Sequence, residues 1–276
     1  MLRLAVVGHP VAHSRSPLMH TAALRAGGID GVYRAIDVLT PEGMRPIADA
    51  IRDGRLTGVN VTMPHKQTAY ALSDDVTDDA RMAGSVNTWF LENSGLKGDT
   101  TDVVGVRASW SARALPVDGP ILILGAGGAA RAAAIALRGR TITVSARSEE
   151  RALPLAQLPG VSGETRPWGS PVPGAVIVNC TPIGMRGESL PESVLTRAAG
   201  IYDMAYGSGE TPAIRFARTE GIPFADGLDL LVAQAEASYR QWTGTPAPQG
   251  VMERAARNVS RGHAPEPNQA PTPRQE

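Results

Sequence analysis

The segment Ile121-Leu122-Ile123-Leu124-Gly125-Ala126-Gly127-Gly128-Ala129-Ala130 constrains this chain more than any other. Four consecutive aliphatic residues read as a strand buried on both faces, and the glycine cluster ends it at once. Residues 129–137 then have helical composition. A strand that turns at glycine straight into a helix opens a β-α-β unit, and such units build parallel sheets covered by helices. The same alternation runs through the rest of the chain. Residues 2–7, 32–36 and 56–61 are strand candidates before the glycine loop; 141–144, 175–178, 201–204 and 222–225 are candidates after it. Residues 18–26 read as a helix closed by Gly27-Gly28, and 41–53 as one with Thr40 as N-cap and Pro41 in first position. Residues 89–91 and 96–98 around Glu92-Asn93-Ser94-Gly95 read as a hairpin. Residues 228–242 form one long helix and 246–257 another short one. The fold class expected is α/β, and 276 residues at about 150 per domain suggest two domains.

Composition narrows the function. Cations and acids number 27 each, which argues against a nucleic-acid or membrane-surface partner. Cys180 is the only cysteine, so neither a disulfide framework nor a cysteine-based zinc site can form. No apolar run reaches the roughly 18 residues of a membrane span, and the first seven residues are too short for a signal peptide, so a cytoplasmic location is expected. His9, His13, His20 and His65 cluster early, but Pro10 breaks any helical ligand spacing and no cysteine or acid is expected to join them, so no metal site is expected. Asp74-Asp75 and Asp78-Asp79 read as charges at helix starts, and Trp89, Trp110 and Trp242 as packing residues. Residues 263–276 carry four prolines and little apolar surface, which predicts a disordered tail.

The glycine loop fits Gly-x-Gly-x-x-Ala. Gly125 would make the tight turn, Gly127 would admit a pyrophosphate, and Ala130 would let strand and helix pack closely. A helix start offers free N–H groups to phosphates; the alternative is a tight turn with no ligand. Binders of NAD carry an acid at the tip of the next strand to hold the ribose 2′-hydroxyl. Here the tip reads Ser145-Ala146-Arg147-Ser148, and a guanidinium with a hydroxyl suits a 2′-phosphate instead. NADP is therefore the expected cofactor, unless Arg147 merely caps a loop.

Two further motifs are rich in hydroxyl, amide and ammonium groups. Gly8-His9-Pro10-Val11-Ala12-His13-Ser14-Arg15-Ser16-Pro17 could turn the hydroxyls of Ser14 and Ser16 to one side of an extended segment. Gly58-Val59-Asn60-Val61-Thr62-Met63-Pro64-His65-Lys66 places Asn60, Thr62 and Lys66 at the carboxyl end of a strand, where α/β sheets hold ligands. Asn87 and Asp102 could complete a pocket for a small polyhydroxy carboxylic acid. Only two of the 27 cations are lysines, Lys66 and Lys97.

Together these motifs resemble the shikimate dehydrogenase family. Residues 8–20 meet its Gly-x-Pro-x-x-His-Ser-x-Ser-Pro-x-x-His, and 58–66 its Gly-x-Asn-Val-Thr-x-Pro-x-Lys. Asn179-Cys180-Thr181-Pro182-Ile183-Gly184-Met185, Asp203-Met204-Ala205-Tyr206, Asp226-Gly227 and Gln234-Ala235 meet later motifs. The resemblance spans about residues 1–258. It implies reversible NADPH-dependent reduction of 3-dehydroshikimate to shikimate, with Lys66 and Asp102 as the catalytic pair. It implies Ser14, Ser16, Asn60, Thr62, Asn87, Tyr206 and Gln234 as substrate ligands. Gly125, Ala126, Gly127, Gly128, Ala129, Arg147, Ser148 and Thr181 would bind the cofactor. The chemistry agrees: hydride arriving at a carbonyl leaves an alkoxide that needs a proton, and a lysine of lowered pKa can supply it. The implied architecture is an N-terminal α/β substrate domain, 1–101 plus 227–262, and a Rossmann-type doubly wound parallel-sheet cofactor domain, 102–226. A monomer or homodimer is expected. The chain departs from the family at Thr100 and Val103 around the acid, at Ala146, at Ser208 and at Leu230. The same shell of ligands could serve quinate or an aminated shikimate, and a non-catalytic sensor could keep the fold, although Lys66 and Asp102 argue against a sensor.

Overall fold

The computed structural model describes residues 1–93, 95–207 and 209–258; Ser208 and the expected tail, 263–276, lie outside them. Two six-stranded sheets carry the chain. The first contains β1 (Leu2–Gly8), β2 (Gly31–Asp37), β3 (Gly58–Val61), β4 (Asp75–Val76), β5 (Thr88–Glu92) and β6 (Gly95–Asp99). The second contains β7 (Ile121–Leu124), β8 (Thr141–Ser145), β9 (Ser162–Arg166), β10 (Val176–Asn179), β11 (Gly200–Asp203) and β12 (Phe224–Asp226). The helices are α1 (Ser16–Ala26), α2 (Met44–Arg52), α3 (Lys66–Leu72), α4 (Asp78–Ala83), α5 (Thr101–Ala112), α6 (Gly128–Ala136), α7 (Glu149–Ala156), α8 (Glu192–Leu195), α9 (Pro212–Glu220), α10 (Gly227–Thr243) and α11 (Val251–Asn258).

The second sheet runs β12-β11-β10-β7-β8-β9 and is parallel throughout. Its order reverses at β7, whose carboxyl end opens into the glycine loop, and a doubly wound sheet holds ligands at that crevice. The first sheet, β2-β1-β3-β5-β6-β4, is mixed rather than parallel. The expected hairpin is its cause: β5 pairs antiparallel with both β3 and β6.

Three local expectations need correction. Thr40 makes no side-chain cap; residues Pro41–Gly43 form a 3-10 turn before α2. Asp75 lies on the edge strand β4, not at a helix start, and pairs with Lys97. Asp74 accepts from the Leu96 backbone at 2.7 Å and from Arg52. An acid does meet the histidine cluster, because His9 Nδ1 lies 2.9 Å from Asp37 across the β1–β2 pair.

The chain's last helices return to the first sheet. Asp226 caps α10 in a reciprocal capping box with Asp229, so the helix starts as soon as β12 ends. Val232, Ala235, Tyr239 and Trp242 on α10 then join the core formed by Leu4, Val6, Met19 and Tyr33. α10 also lies against α5, at Gly105. A Cβ there would sit 3.0 Å from Leu230 Cδ1 and 3.1 Å from Gln234 Cβ, so glycine sets the spacing of the two helices.

Inside this core His20 stacks on Tyr33, ring centroids 4.3 Å apart, and among the described residues neither ring nitrogen has a partner at hydrogen-bonding geometry. Burial pushes the imidazole down to about 3. Its folded value thus lies below its unfolded one, so this contribution to stability is complete above about pH 6.5 and declines as pH falls toward 3. Removing the titration with His20→Leu is expected to flatten the acid limb. Between pH 6 and 4 the stability slope should fall by about 1.4 kcal/mol per pH unit, measured by urea unfolding across that range. An unchanged slope would show that another group carries the acid sensitivity.

Candidate active site

Lys66 opens α3 directly after the loop that leaves β3, and Asp102 stands in the first turn of α5 after β6. The two meet as an ion pair, Nζ to Oδ2 at 2.5 Å. Their side chains are 32% and 23% exposed, enough for a small molecule to reach both. The other carboxylate oxygen accepts from Asn87 Nδ2 at 2.9 Å. Asn87 is held in turn, because its Oδ1 accepts from the backbone and hydroxyl of Thr101 at 2.8 and 3.1 Å and from Thr88 Oγ1 at 3.0 Å. The acid's orientation is therefore set by residues on either side of β5 and β6.

A second buried layer supports the first. Asn60 Oδ1 accepts from the Tyr33 hydroxyl at 2.7 Å, while its Nδ2 donates to Ser238 Oγ at 2.8 Å and Thr88 Oγ1 at 3.1 Å. Ser238, Thr88 and Thr101 form a triangle of hydroxyls 3.0 to 3.3 Å apart. Ser238 comes from α10, so the returning helix closes the network. Nothing in the sequence marks Ser238 or Tyr33 for this role; only the packing of α10 on the first sheet brings them in.

A cavity of about 680 Å³ lies over the ion pair, and Ser14, Ser16, Asn60, Thr62, Asn87, Tyr206 and Gln234 all line it. They face it differently. The hydroxyls of Thr62 and Tyr206 make no hydrogen bond with another described residue. Ser14 Oγ accepts from the Ser16 backbone at 3.2 Å and keeps its own proton to donate. The two serines do not alternate along an extended segment. Ser14 closes a turn onto Val11, and Ser16 begins α1. Gln234 donates to the Leu231 carbonyl at 2.9 Å, and its Oε1 accepts from Thr101 at 3.4 Å. Asn60 and Asn87 use both ends of their amides within the protein.

A second cavity of about 770 Å³ shares Ala126 and Gly127 with the first. The glycines divide in their causes. Gly125 has φ +107°, which the turn itself demands. Gly127 and Gly128 have ordinary backbone angles, and a Cβ at either would meet nothing of the protein within 4 Å. Neither conformation nor packing asks for glycine there, whereas a phosphate lying on the backbone would. Gly128 and Ala129 line the first cavity, at the amino end of α6.

Arg147, Ser148 and Thr181 line the second cavity. Arg147 is exposed and makes no hydrogen bond or ion pair with another described residue. Ser148 Oγ caps α7 by accepting from the Arg151 backbone at 3.3 Å, which leaves its proton free to donate. Thr181 Oγ1 donates to Asn179 Oδ1 at 2.7 Å and accepts from the Ile183 backbone, so its hydroxyl shapes the loop. Arg151 also lines this cavity and was not apparent from the strand-tip rule, because it sits one turn into α7. Buried Asp203 ties the neighbouring loops together. It accepts from Asn179 at 2.8 Å, Thr211 at 2.5 Å and the Ala205 backbone at 3.1 Å, and burial pushes its carboxyl up. Cys180 lies beside the glycine loop, and burial raises its thiol, which suits packing rather than nucleophilic attack. Among the described residues no helix is long and apolar enough to cross a membrane.

A doubly wound sheet with a phosphate-ready glycine loop, joined to a polar pocket that carries a lysine–aspartate pair, defines an α/β oxidoreductase linked to a dinucleotide. Comparison with known proteins gives the particular family. Residues 6–89 match the shikimate dehydrogenase substrate binding domain, and 227–257 match the shikimate 5′-dehydrogenase C-terminal domain. The NADP(+) shikimate dehydrogenase of Acidiphilium cryptum is 40% identical, over 92% of this chain and 95% of its own. The crystal structure of the Thermus thermophilus enzyme in complex with NADP(H) and shikimate aligns with a TM-score of 0.85 and 36% identity, over 94% of this chain and all of that one. The 5-ketofructose reductase of a Gluconobacter strain shares the fold at 27% identity and a TM-score of 0.86, covering 94% of this chain and 98% of its own. The chain belongs to the shikimate dehydrogenase family.

Proposed function

We propose that this protein catalyses the reversible, NADPH-dependent reduction of 3-dehydroshikimate to shikimate, with Lys66 and Asp102 as its catalytic pair. The observation that carries this reading is the Lys66–Asp102 pair, held by Asn87, facing a cavity that shares Ala126 and Gly127 of its wall with the glycine-loop cavity. The residues of the second cavity fit a phosphorylated dinucleotide: bare glycine backbone for the pyrophosphate, and Arg147, Ser148 and Arg151 for the 2′-phosphate. NADPH supplies the hydride when bound. Lys66 Nζ gives a proton to the ketone oxygen as it becomes an alkoxide, and takes it back in the reverse direction. Asp102 holds the ammonium in place and offers its carboxylate to a neighbouring ring hydroxyl. Asn87 keeps that carboxylate from rotating.

Ser14, Thr62 and Tyr206 have hydroxyl protons available for the substrate's carboxylate and hydroxyls, with Ser16, whose hydroxyl meets Tyr33, and Gln234 at the cavity wall. Asn60 is assigned to the same shell through its hold on Thr88 and Ser238. We assign residues 1–101 plus 227–258 to the substrate domain and 102–226 to the cofactor domain; residues 259–262, expected in the first, lie outside the described residues. The reading extends to a cytoplasmic enzyme that is a monomer or homodimer, which sedimentation velocity would distinguish.

The direct test follows NADPH and NADH absorbance with shikimate and quinate in parallel. Shikimate with NADP is expected to be fastest; faster turnover of quinate would overturn the substrate assignment. Ser14→Ala and Ser16→Ala should each cost about 1–3 kcal/mol in kcat/KM, because each leaves a buried substrate group unpaired. Unchanged kcat/KM in both would remove the serines from the site.

A further inference from the structure

The cofactor reading leaves one large side chain of the second cavity unused. Trp168 lines that cavity with Arg147, Ser148 and Arg151. It differs from the other three tryptophans, since Trp89, Trp110 and Trp242 are 0%, 5% and 7% exposed and lie in the cores. Trp168 is only half-buried.

The backbone around Trp168 is unusually well held for a loop. Ser170 donates to the Pro167 carbonyl at 3.1 Å, and Gly169 between them has φ +79°, the geometry of a type II turn with Trp168 at its first corner. Ser145, buried at the end of β8, grips this turn on both sides of the indole. Its hydroxyl donates to Pro167 O at 3.0 Å and accepts from Gly169 N at 3.2 Å. Ser193 adds a hydrogen bond to Gly169 O at 3.1 Å.

Register then sets what the indole can meet. Ser145 on β8 pairs with Arg166 on β9, and these strands are parallel. Arg147 lies two residues past Ser145, and Trp168 two residues past Arg166. Both therefore leave the same end of neighbouring strands, whose spacing is about 4.8 Å. A 2′-phosphate and a purine base are attached to one ribose. A phosphate held at Arg147 thus brings its base to the strand end where Trp168 stands. Pro182 and Ile183 also line this cavity and supply further apolar surface for a flat ring.

We propose that Trp168 is the stacking platform for the adenine ring of the dinucleotide, and that Ser145 positions it. This rests on the NADP reading above and adds a base-binding residue to it.

The test uses the full chain and adenosine 2′,5′-bisphosphate, which carries adenine and 2′-phosphate but no nicotinamide. In the parent protein this probe should quench tryptophan emission, and in Trp168→Phe the quench should disappear while affinity by calorimetry stays close to the parent's. Trp168→Ala should weaken the probe about tenfold, the scale of base stacking on an aromatic side chain. It should also raise KM for NADP and NAD by the same factor, because both contain adenine, and leave kcat and the shikimate KM alone. Trp168→Ala with parental affinity for the probe, or a quench that survives in Trp168→Phe, would overturn the proposal while the NADP assignment stood. An unchanged shikimate KM shows that the variant is folded. A parent protein that binds neither the probe nor NADP would overturn the NADP assignment and this proposal together.

Discussion

Lys66→Arg is expected to lower kcat at least about a hundredfold, nearly as much as Lys66→Ala, although it keeps the positive charge. An ammonium can hand a proton to a developing alkoxide and take it back, whereas a guanidinium holds its protons. The structure adds a geometric reason. Lys66 reaches a single carboxylate oxygen of Asp102, while Asn87 occupies the other. An arginine fork would compete with Asn87 for both oxygens and turn the carboxylate away from the substrate. Shikimate affinity should change much less than kcat. Lys97 is the control: it pairs with Asp75 and Glu92 at the edge of the first sheet, away from the cavity, and Lys97→Arg should leave the kinetics unchanged. Stopped-flow kinetics with saturating NADP would decide. If Lys66→Arg retained most of kcat and mainly raised KM, Lys66 would serve as a fixed charge and the proton-transfer role would be withdrawn.

The second large effect concerns cofactor choice. Arg147→Ala should raise the KM for NADP and leave NAD use nearly unchanged, and the Arg147→Ala/Arg151→Ala double variant should lose about a hundredfold or more in kcat/KM with NADP. Each charge-assisted hydrogen bond to the 2′-phosphate contributes about 1.5–3 kcal/mol. Neither guanidinium makes a side-chain hydrogen bond or ion pair with another described residue, so their removal costs the fold little. The parent protein should prefer NADP strongly, since no acid stands at the tip of β8 to hold a ribose hydroxyl. Equal kcat/KM with the two cofactors in the parent would refute the assignment of Arg147. The same pair of assays separates this effect from that of Trp168, which acts on both cofactors alike.

Some of the site was legible because its signals are local. Gly125 to Ala130 is a contiguous motif with a defined strand before it and helix after it, and β7 runs over the four aliphatic residues that announce it. Lys66 could be placed because it follows a strand, and residues after strand ends converge on one edge of an α/β sheet; Asp102 was named as its partner through the family resemblance. Other features were illegible for an equally physical reason. β9 reads Ser-Gly-Glu-Thr-Arg, an exposed edge strand without apolar alternation, so nothing in its composition reported that it pairs with β8. The silence of β9 also hides Trp168, whose place beside Arg147 depends on that pairing. The two-residue strand β4 is similarly silent, and the aspartates around it read as helix-start charges.

The amino-acid sequence by itself determined the alternation of strands and helices, the glycine turn at the switch point, the place of Lys66 just after a strand, and the basic tip of β8. Each depends on residues a few positions apart, where periodicity and backbone chemistry act directly. The tertiary structure alone decided that the first sheet is mixed, that Asn60 and Asn87 spend their amides holding the site, and that Ser238 closes the hydroxyl network. Ser238 and Thr88 are 150 residues apart in the chain yet 3.0 Å apart in the fold. Such a contact exists only because α10 leaves β12 and packs on the first sheet beside α5, where Gly105 allows a close approach. Long-range packing of this kind has no signature in the local order of residues, and it is what gives the Lys66–Asp102 pair its orientation.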